Sequence, residues 1–149
     1  KPSSAASDVY KRQNYSLAHS SVETFGDNTL VCMDTKEFRW YKKHDFPVMA
    51  FSPQAKGFFA KLAKGDAANN LPEGQYAGPA NLARLAKVKQ LSEQTGDTPA
   101  KITLGYLNSQ PFFVSSVFAV TKLWQLDEDM EAQDLTYDPK TVAFLENMI

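Results

Sequence analysis

Two short apolar runs, residues 46–51 (Phe-Pro-Val-Met-Ala-Phe) and residues 112–118 (Phe-Phe-Val-Ser-Ser-Val-Phe), set the tightest limit on what this chain can fold into. Each has the length of a strand, and each is bounded by proline: Ser52-Pro53 closes the first, and Gln110-Pro111 precedes the second. Proline withholds a ladder donor and disfavours helix at the residue before it, so these are natural strand limits. The interval between the runs holds a long loop followed by helical periodicity. Strands separated in this way cannot close as a hairpin. They pair through a helical crossover, which makes βα units and a parallel sheet.

The helices follow from spacing and caps. Asp34-Thr35-Lys36-Glu37 places an N-cap three residues ahead of a glutamate, and Phe38 and Tyr41 continue at i, i+3, so a helix is expected to about Lys43. Residues 54–80 hold repeated Gly and Pro, with turn signals at Asn69-Asn70 and Pro72-Glu73-Gly74, and read as a long functional loop with a short helical piece over Phe58–Ala63. Leu82, Leu85, Val88 and Leu91 then define an apolar face, and Gly96 can end that helix in the left-handed conformation. Thr98-Pro99 opens the next helix, with Ile102, Tyr106 and Leu107 inward. Thr121 is expected to cap a helix whose apolar residues are Leu123, Leu126 and Met130. Asp138-Pro139 starts the last one, with Val142, Leu145 and Ile149 on one face.

Composition narrows the function classes. With 16 basic and 17 acidic residues among 149, the chain lacks the clear positive charge of a nucleic-acid binder. No stretch approaches the roughly 18 apolar residues of a membrane span. Cys32 is the single cysteine, so no internal disulfide is possible, and a reducing, cytoplasmic setting is expected. Cys32, His19 and His44 lack metal-ligand spacing, so no metal site is expected. The chain opens on Lys1 without a charged-then-apolar leader, an opening expected of a fragment. Within it, Asp8-Val9-Tyr10-Lys11-Arg12-Gln13 resembles the translated end of a transposon, so residues 1–13 are set apart from 14–149.

No self-contained catalytic constellation stands out. There is no nucleophile elbow and no phosphate-cradling glycine loop. The histidines read as surface residues, and Cys32 reads as a structural cysteine despite its place before a helix start. Position singles out two stretches: Phe51-Ser52-Pro53-Gln54 after one strand, and Thr121-Lys122 after another. Sites in parallel α/β folds gather at the C-terminal ends of strands, and helix N-termini attract anions. From spacing alone, a plain cap at Thr121 and a solvated Lys122 fit slightly better.

Residues 46–58 resemble the "PVMAYSPLARGFL" pattern of the aldo-keto reductases. Leu85-Ala86-Lys87-Val88, the stretch from Thr98 to Leu104, Gln110-Pro111 and Gln125-Leu126-Asp127-Glu128-Asp129 resemble the family in the same order, and Asn14-Tyr15-Ser16-Leu17 is similar to its sixth-strand motif. The family's fold is a (β/α)8 TIM barrel of about 250 residues or more. The resemblance therefore implies the C-terminal part of such a barrel over residues 14–149: about strands six to eight with their helices, an incomplete barrel. It implies an oxidoreductase that, at full length, passes a hydride between a nicotinamide cofactor and a small carbonyl or alcohol substrate. The catalytic Asp, Tyr, Lys and His would lie outside this chain.

The same resemblance implies cofactor-binding residues. Phe51 matches the aromatic that stacks on nicotinamide, and Ser52 and Gln54 match the loop along the pyrophosphate. Thr121 and Lys122 match positions that meet the 2′-phosphate of NADP; Gln125 matches a contact to the adenosine phosphate; Glu128 and Asp129 match a pair near adenine. The chain departs from the pattern at Ala119-Val120-Thr121, Leu123, Trp124 and Asp129. The lost arginine leaves Lys122 as the nearby positive charge, so NADP is preferred while NAD stays possible. Trp124 could be an exposed stacking surface or a core residue. The alternative reading is a non-catalytic half-barrel that serves as a binding or interaction module. Either way, unpaired strand flanks imply self-association of the isolated chain.

Overall fold

The computed structural model describes residues 11–25, 29–65 and 76–146. Three short strands, β1 (Lys11–Asn14), β2 (Val48–Phe51) and β3 (Val114–Val117), form one sheet in that order. Both pairings are parallel, with Gln13, Ala50 and Ser116 in one row and Asn14, Phe51 and Val117 in the next. The helices are α1 (Val22–Phe25), α2 (Thr35–His44), α3 (Phe58–Ala63), α4 (Pro79–Thr95), α5 (Pro99–Asn108), α6 (Leu123–Glu131) and α7 (Pro139–Leu145). β1 begins at Lys11, so the boundary drawn at residue 13 falls inside a strand that pairs with β2. The other flank of β1 is partly covered where Asn14 donates to the Val31 carbonyl at 2.7 Å and accepts from the Met33 amide at 2.9 Å. Among the described residues, β3 has no strand on its outer flank.

The caps fall mostly where the sequence puts them. Asp34 accepts from the Glu37 amide at 2.7 Å to start α2, Thr98 accepts from the Lys101 amide to start α5, and Asp138 accepts from the Lys140 and Thr141 amides to start α7. Gly96 ends α4 at φ 82, a left-handed conformation that needs no Cβ accommodated. The strands are shorter than the apolar runs: Phe46, Pro47, Phe112, Phe113 and Phe118 lie outside them.

One face of the sheet carries the core. Val48 and Ala50 are buried there, and Gln13, in the same row as Ala50, reaches the Tyr41 hydroxyl and the Glu37 carboxylate of α2. Phe38 packs edge-on and Tyr41 tilted against Phe112, and Tyr15 bridges Phe112 to Tyr106 of α5. Tyr106 closes this layer by donating to Glu146 Oε1 at 2.7 Å. The other face bears Arg12, Met49, Phe51, Ser115 and Val117, each half-buried or exposed. A closed barrel would fill its interior with such a row.

Two expected faces come out differently. The buried stripe of α4 runs through Asn81, Arg84, Val88 and Leu91, and Leu82 is exposed. Polar Asn81 and Arg84 are accepted inside because Asn81 bonds both the amide and the carbonyl of His19, and Arg84 donates to Asn81 at 3.1 Å. On α6, Leu123, Leu126 and Met130 are exposed rather than inward, and Asp129 is the buried residue. Phe58, on the short helical piece of the long loop, lies in the core against Phe59 and Tyr76. Ile149 and the turn residues 69–70 and 72–74 lie outside the described residues. No helix among the described residues is long and apolar enough to cross a membrane.

Candidate functional site

The C-terminal ends of β2 and β3 lie side by side, with Phe51 opposite Val117. Each chain segment leaving this end turns outward, and between them opens a cleft of about 710 Å³. Its walls come from the segment 52–57, α3, the start of α5, the segment 117–121 and the first two turns of α6. Ser52, Gln54, Thr121, Gln125, Glu128 and Asp129 all line it; Phe51 and Lys122 do not. Phe51 sits half-buried at the strand end, on the sheet face away from the helices.

The segment after β2 holds an unusual backbone. Ser52, Ala55 and Lys56 have φ values of 53, 49 and 56, and Gly57 follows at 80. Left-handed conformations of non-glycine residues cost energy and concentrate at functional sites. Here they fold the chain back at once into a 3-10 turn and α3, so that Ser52 and Gln54 face α6 across the cleft. Gln54 Nε2 donates to Asp129 Oδ1 at 2.6 Å, tying the two walls together. Burial raises the Asp129 pKa above the usual aspartate value, and the Gln54 hydrogen bond offsets this in part.

The opposite wall is basic. Lys56, Lys61 and Lys64 face Glu128 and Asp129, so the lining carries three ammonium groups against two carboxylates. Trp124 settles as an exposed residue of the cleft, 54% accessible, with the Lys64 ammonium 5.3 Å from its ring centre.

At the start of α6 the cap belongs to Lys122, not Thr121. Lysine has no acceptor to offer the helix amides. Gln125 instead reaches back to the residues ahead of the helix: its Oε1 accepts from the Thr121 amide at 3.0 Å, the Thr121 hydroxyl at 3.1 Å and the Lys122 amide at 3.0 Å. The family resemblance implies a phosphate near Thr121 and Lys122, and in this structure their donors converge on one neutral oxygen.

The residues weighed as possible nucleophiles or bases stand apart from the cleft. His44 is exposed and stacks on Trp40, with Nδ1 2.8 Å from the Trp40 carbonyl oxygen. His19 is exposed too. Cys32 is partly rather than fully buried, accepts from the Ser20 hydroxyl at 3.8 Å, and has its pKa raised by burial, the reverse of an activated thiolate. Sequence reasoning missed the basic wall and the strained turn. The one available signal was the lysine spacing at 61 and 64 on a short helix next to Gly57.

The family model for the aldo/keto reductase family matches residues 31–149. The chain belongs to the aldo/keto reductase family. Solved structures similar to it include a thermostable aldo-keto reductase in complex with the inhibitor epalrestat, at 13% identity and a TM-score of 0.59, covering 95% of this chain and 40% of that one. An aldo/keto reductase from Klebsiella pneumoniae in complex with NADP and acetate matches at 16% identity and a TM-score of 0.58, covering 94% and 39%. One from the same organism in complex with NADPH matches at 16% and 0.56, covering 92% and 38%. At these identities the likeness establishes the fold: the open three-stranded sheet is part of a (β/α)8 barrel. The chain spans about 40% of the length of the structures it matches.

Proposed function

We propose that this chain is the C-terminal, cofactor-holding part of an NADP-dependent aldo-keto reductase acting on a small carbonyl or alcohol substrate. The observation that carries the proposal is the cleft itself. It opens at the C-terminal ends of adjacent parallel strands, where barrel sites lie, and gathers Ser52, Gln54, Thr121, Gln125, Glu128 and Asp129. The donor set suits a dinucleotide. Three lysines, the Ser52 hydroxyl, the Gln54 amide and the donors at the start of α6 offer positive charge and hydrogen bonds for phosphates. Relatives of the same fold are in complex with NADP and NADPH.

The residues divide the work by position. Phe51 at the strand end presents an aromatic face to the nicotinamide end. Ser52 and Gln54 run along the pyrophosphate. Thr121 and Lys122 hold the 2′-phosphate once it displaces the Gln125 oxygen from their donors, and Gln125 is then released to the adenosine phosphate. Glu128 and Asp129 lie on the adenine side, with Asp129 acting chiefly through its bond to Gln54. The bound nicotinamide supplies the hydride chemistry. The acid–base tetrad, on the family resemblance, comes from sequence outside this chain.

Calorimetric titration tests the proposal. NADPH should bind the purified chain more tightly than NADH, and Lys122→Ala should weaken NADPH about tenfold while leaving NADH nearly unchanged, since a charge-assisted contact to phosphate is lost. Equal loss for both cofactors would remove Lys122 from the phosphate site. Absence of binding by either would overturn the cleft as a cofactor site.

A further inference from the structure

We propose that Trp124 is a base-stacking platform of the cleft, a binding residue that holds the adenine ring whether or not a 2′-phosphate is present. The inference rests on the cofactor reading above and adds a residue to it. Three observations carry it. Trp124 is 54% exposed although it belongs to a cleft wall, so much of a large apolar ring is without a partner among the described residues. The ring is nevertheless oriented: the Lys64 ammonium lies 5.3 Å from its centre, a cation–π contact that links α6 to the end of α3 across the opening. Finally, its place in the chain is right. Trp124 follows Thr121 and Lys122 directly into α6, and Phe51 marks the strand end from which the cleft opens. A dinucleotide with its nicotinamide at Phe51 and a phosphate by Thr121 brings its second ring system to this side.

Indole offers a broad π-face to which any purine can stack, and the contact is indifferent to the ribose phosphate. Trp124 therefore contributes affinity for the adenine half without choosing between NADP and NAD. That separates it from Lys122. It also separates the present inference from the cofactor reading, because the two fail in different experiments.

Two variants and calorimetry decide the matter. Trp124→Ala should weaken NADPH, NADH and 2′,5′-ADP alike, each about tenfold, and leave nicotinamide mononucleotide unchanged. Trp124→Phe should restore most of the loss, since a phenyl face still stacks. In Trp40→Phe, Trp124 is the remaining tryptophan, and its fluorescence should be quenched by 2′,5′-ADP but not by nicotinamide mononucleotide. Trp124 is exposed, so circular dichroism should show an unchanged fold. If Trp124→Ala binds NADPH as tightly as the parent chain, or if the fluorescence in Trp40→Phe ignores 2′,5′-ADP while binding proceeds, the stacking role is wrong and the cofactor site stands. If the parent chain binds none of these ligands, both fall.

Discussion

Asp129 and Gly105 show how single residues are settled by their surroundings. Asp129 is 4% exposed and holds Gln54 at 2.6 Å, and its pKa is raised chiefly by burial. A carboxyl whose folded pKa lies above its unfolded one binds more protons in the folded state between the two values. Its contribution is then most favourable in acid and is lost as pH rises through the folded pKa. Asp129→Asn keeps an acceptor for Gln54 and removes the buried charge. Its melting temperature should exceed that of the parent chain at pH 7, and the gap should close below the ordinary aspartate pKa; thermal melts across pH 3–8 would show it. Gly105 lies in the middle of α5, where alanine ordinarily gains about 1 kcal/mol. Here a Cβ would come within 2.8 Å of Tyr137 Cε2 and 2.9 Å of Leu135 Cγ. Gly105→Ala should therefore destabilise by about 1–3 kcal/mol, measurable by urea unfolding. A gain in stability would mean that the 135–137 segment yields freely.

Among the elements, α5 and α6 make opposite bargains. Residues 102–107 of α5 are buried, so this helix is held by packing and opened by a single side-chain cap at Thr98. Thr98→Ala should cost about 1 kcal/mol, read from the urea midpoint at constant slope. α6 exposes Leu123 at 81% and Met130 at 51% and buries Asp129. It is tied down by polar contacts instead: Gln125 at its start, Gln54 on its cleft side, and Lys101 of α5 paired with Glu131 at its end. Its apolar stripe was legible as a period of three and four. Which side of the helix meets protein was not, because periodicity reports amphipathicity and carries no information about the neighbour. The same limit explains α4, where Leu82 is exposed while polar Asn81 and Arg84 share the buried stripe with Val88 and Leu91.

At the scale of the whole molecule, the sheet is unfinished among the described residues. β3 has an open flank among the described residues, Phe113 beside it is 70% exposed, Val117 is 42% exposed, and Met49 and Phe51 lie half-buried on the uncovered face. Unpaired strand edges with apolar side chains recruit other strands. The isolated chain should therefore form dimers or larger species at tens of micromolar, and Val117→Lys should shift it toward monomer; sedimentation velocity would record both. A clean monomer of the parent chain at that concentration would mean the edge is protected by other means. The purified chain should also fail to reduce a generic aldehyde above a denatured control, because general acid–base groups worth about 10²–10⁴-fold are expected to lie outside it.

Local chemistry was readable in the chain itself. Proline and glycine punctuation, the Asp34, Thr98 and Asp138 caps, the left-handed Gly96 and the two apolar runs act within a few residues, so the order of elements from α2 onward and the parallel class were legible, and the ordered motifs carried the family; β1 and α1 carry no such local signal. The Gln54–Asp129 tie across 75 residues, the burial of Asp129 and the exposure of Trp124 were decided by tertiary structure. Each depends on which segments are brought together at the strand ends. Burial, shared hydrogen bonds and shifted protonation are properties of that juxtaposition, and no single segment holds them alone.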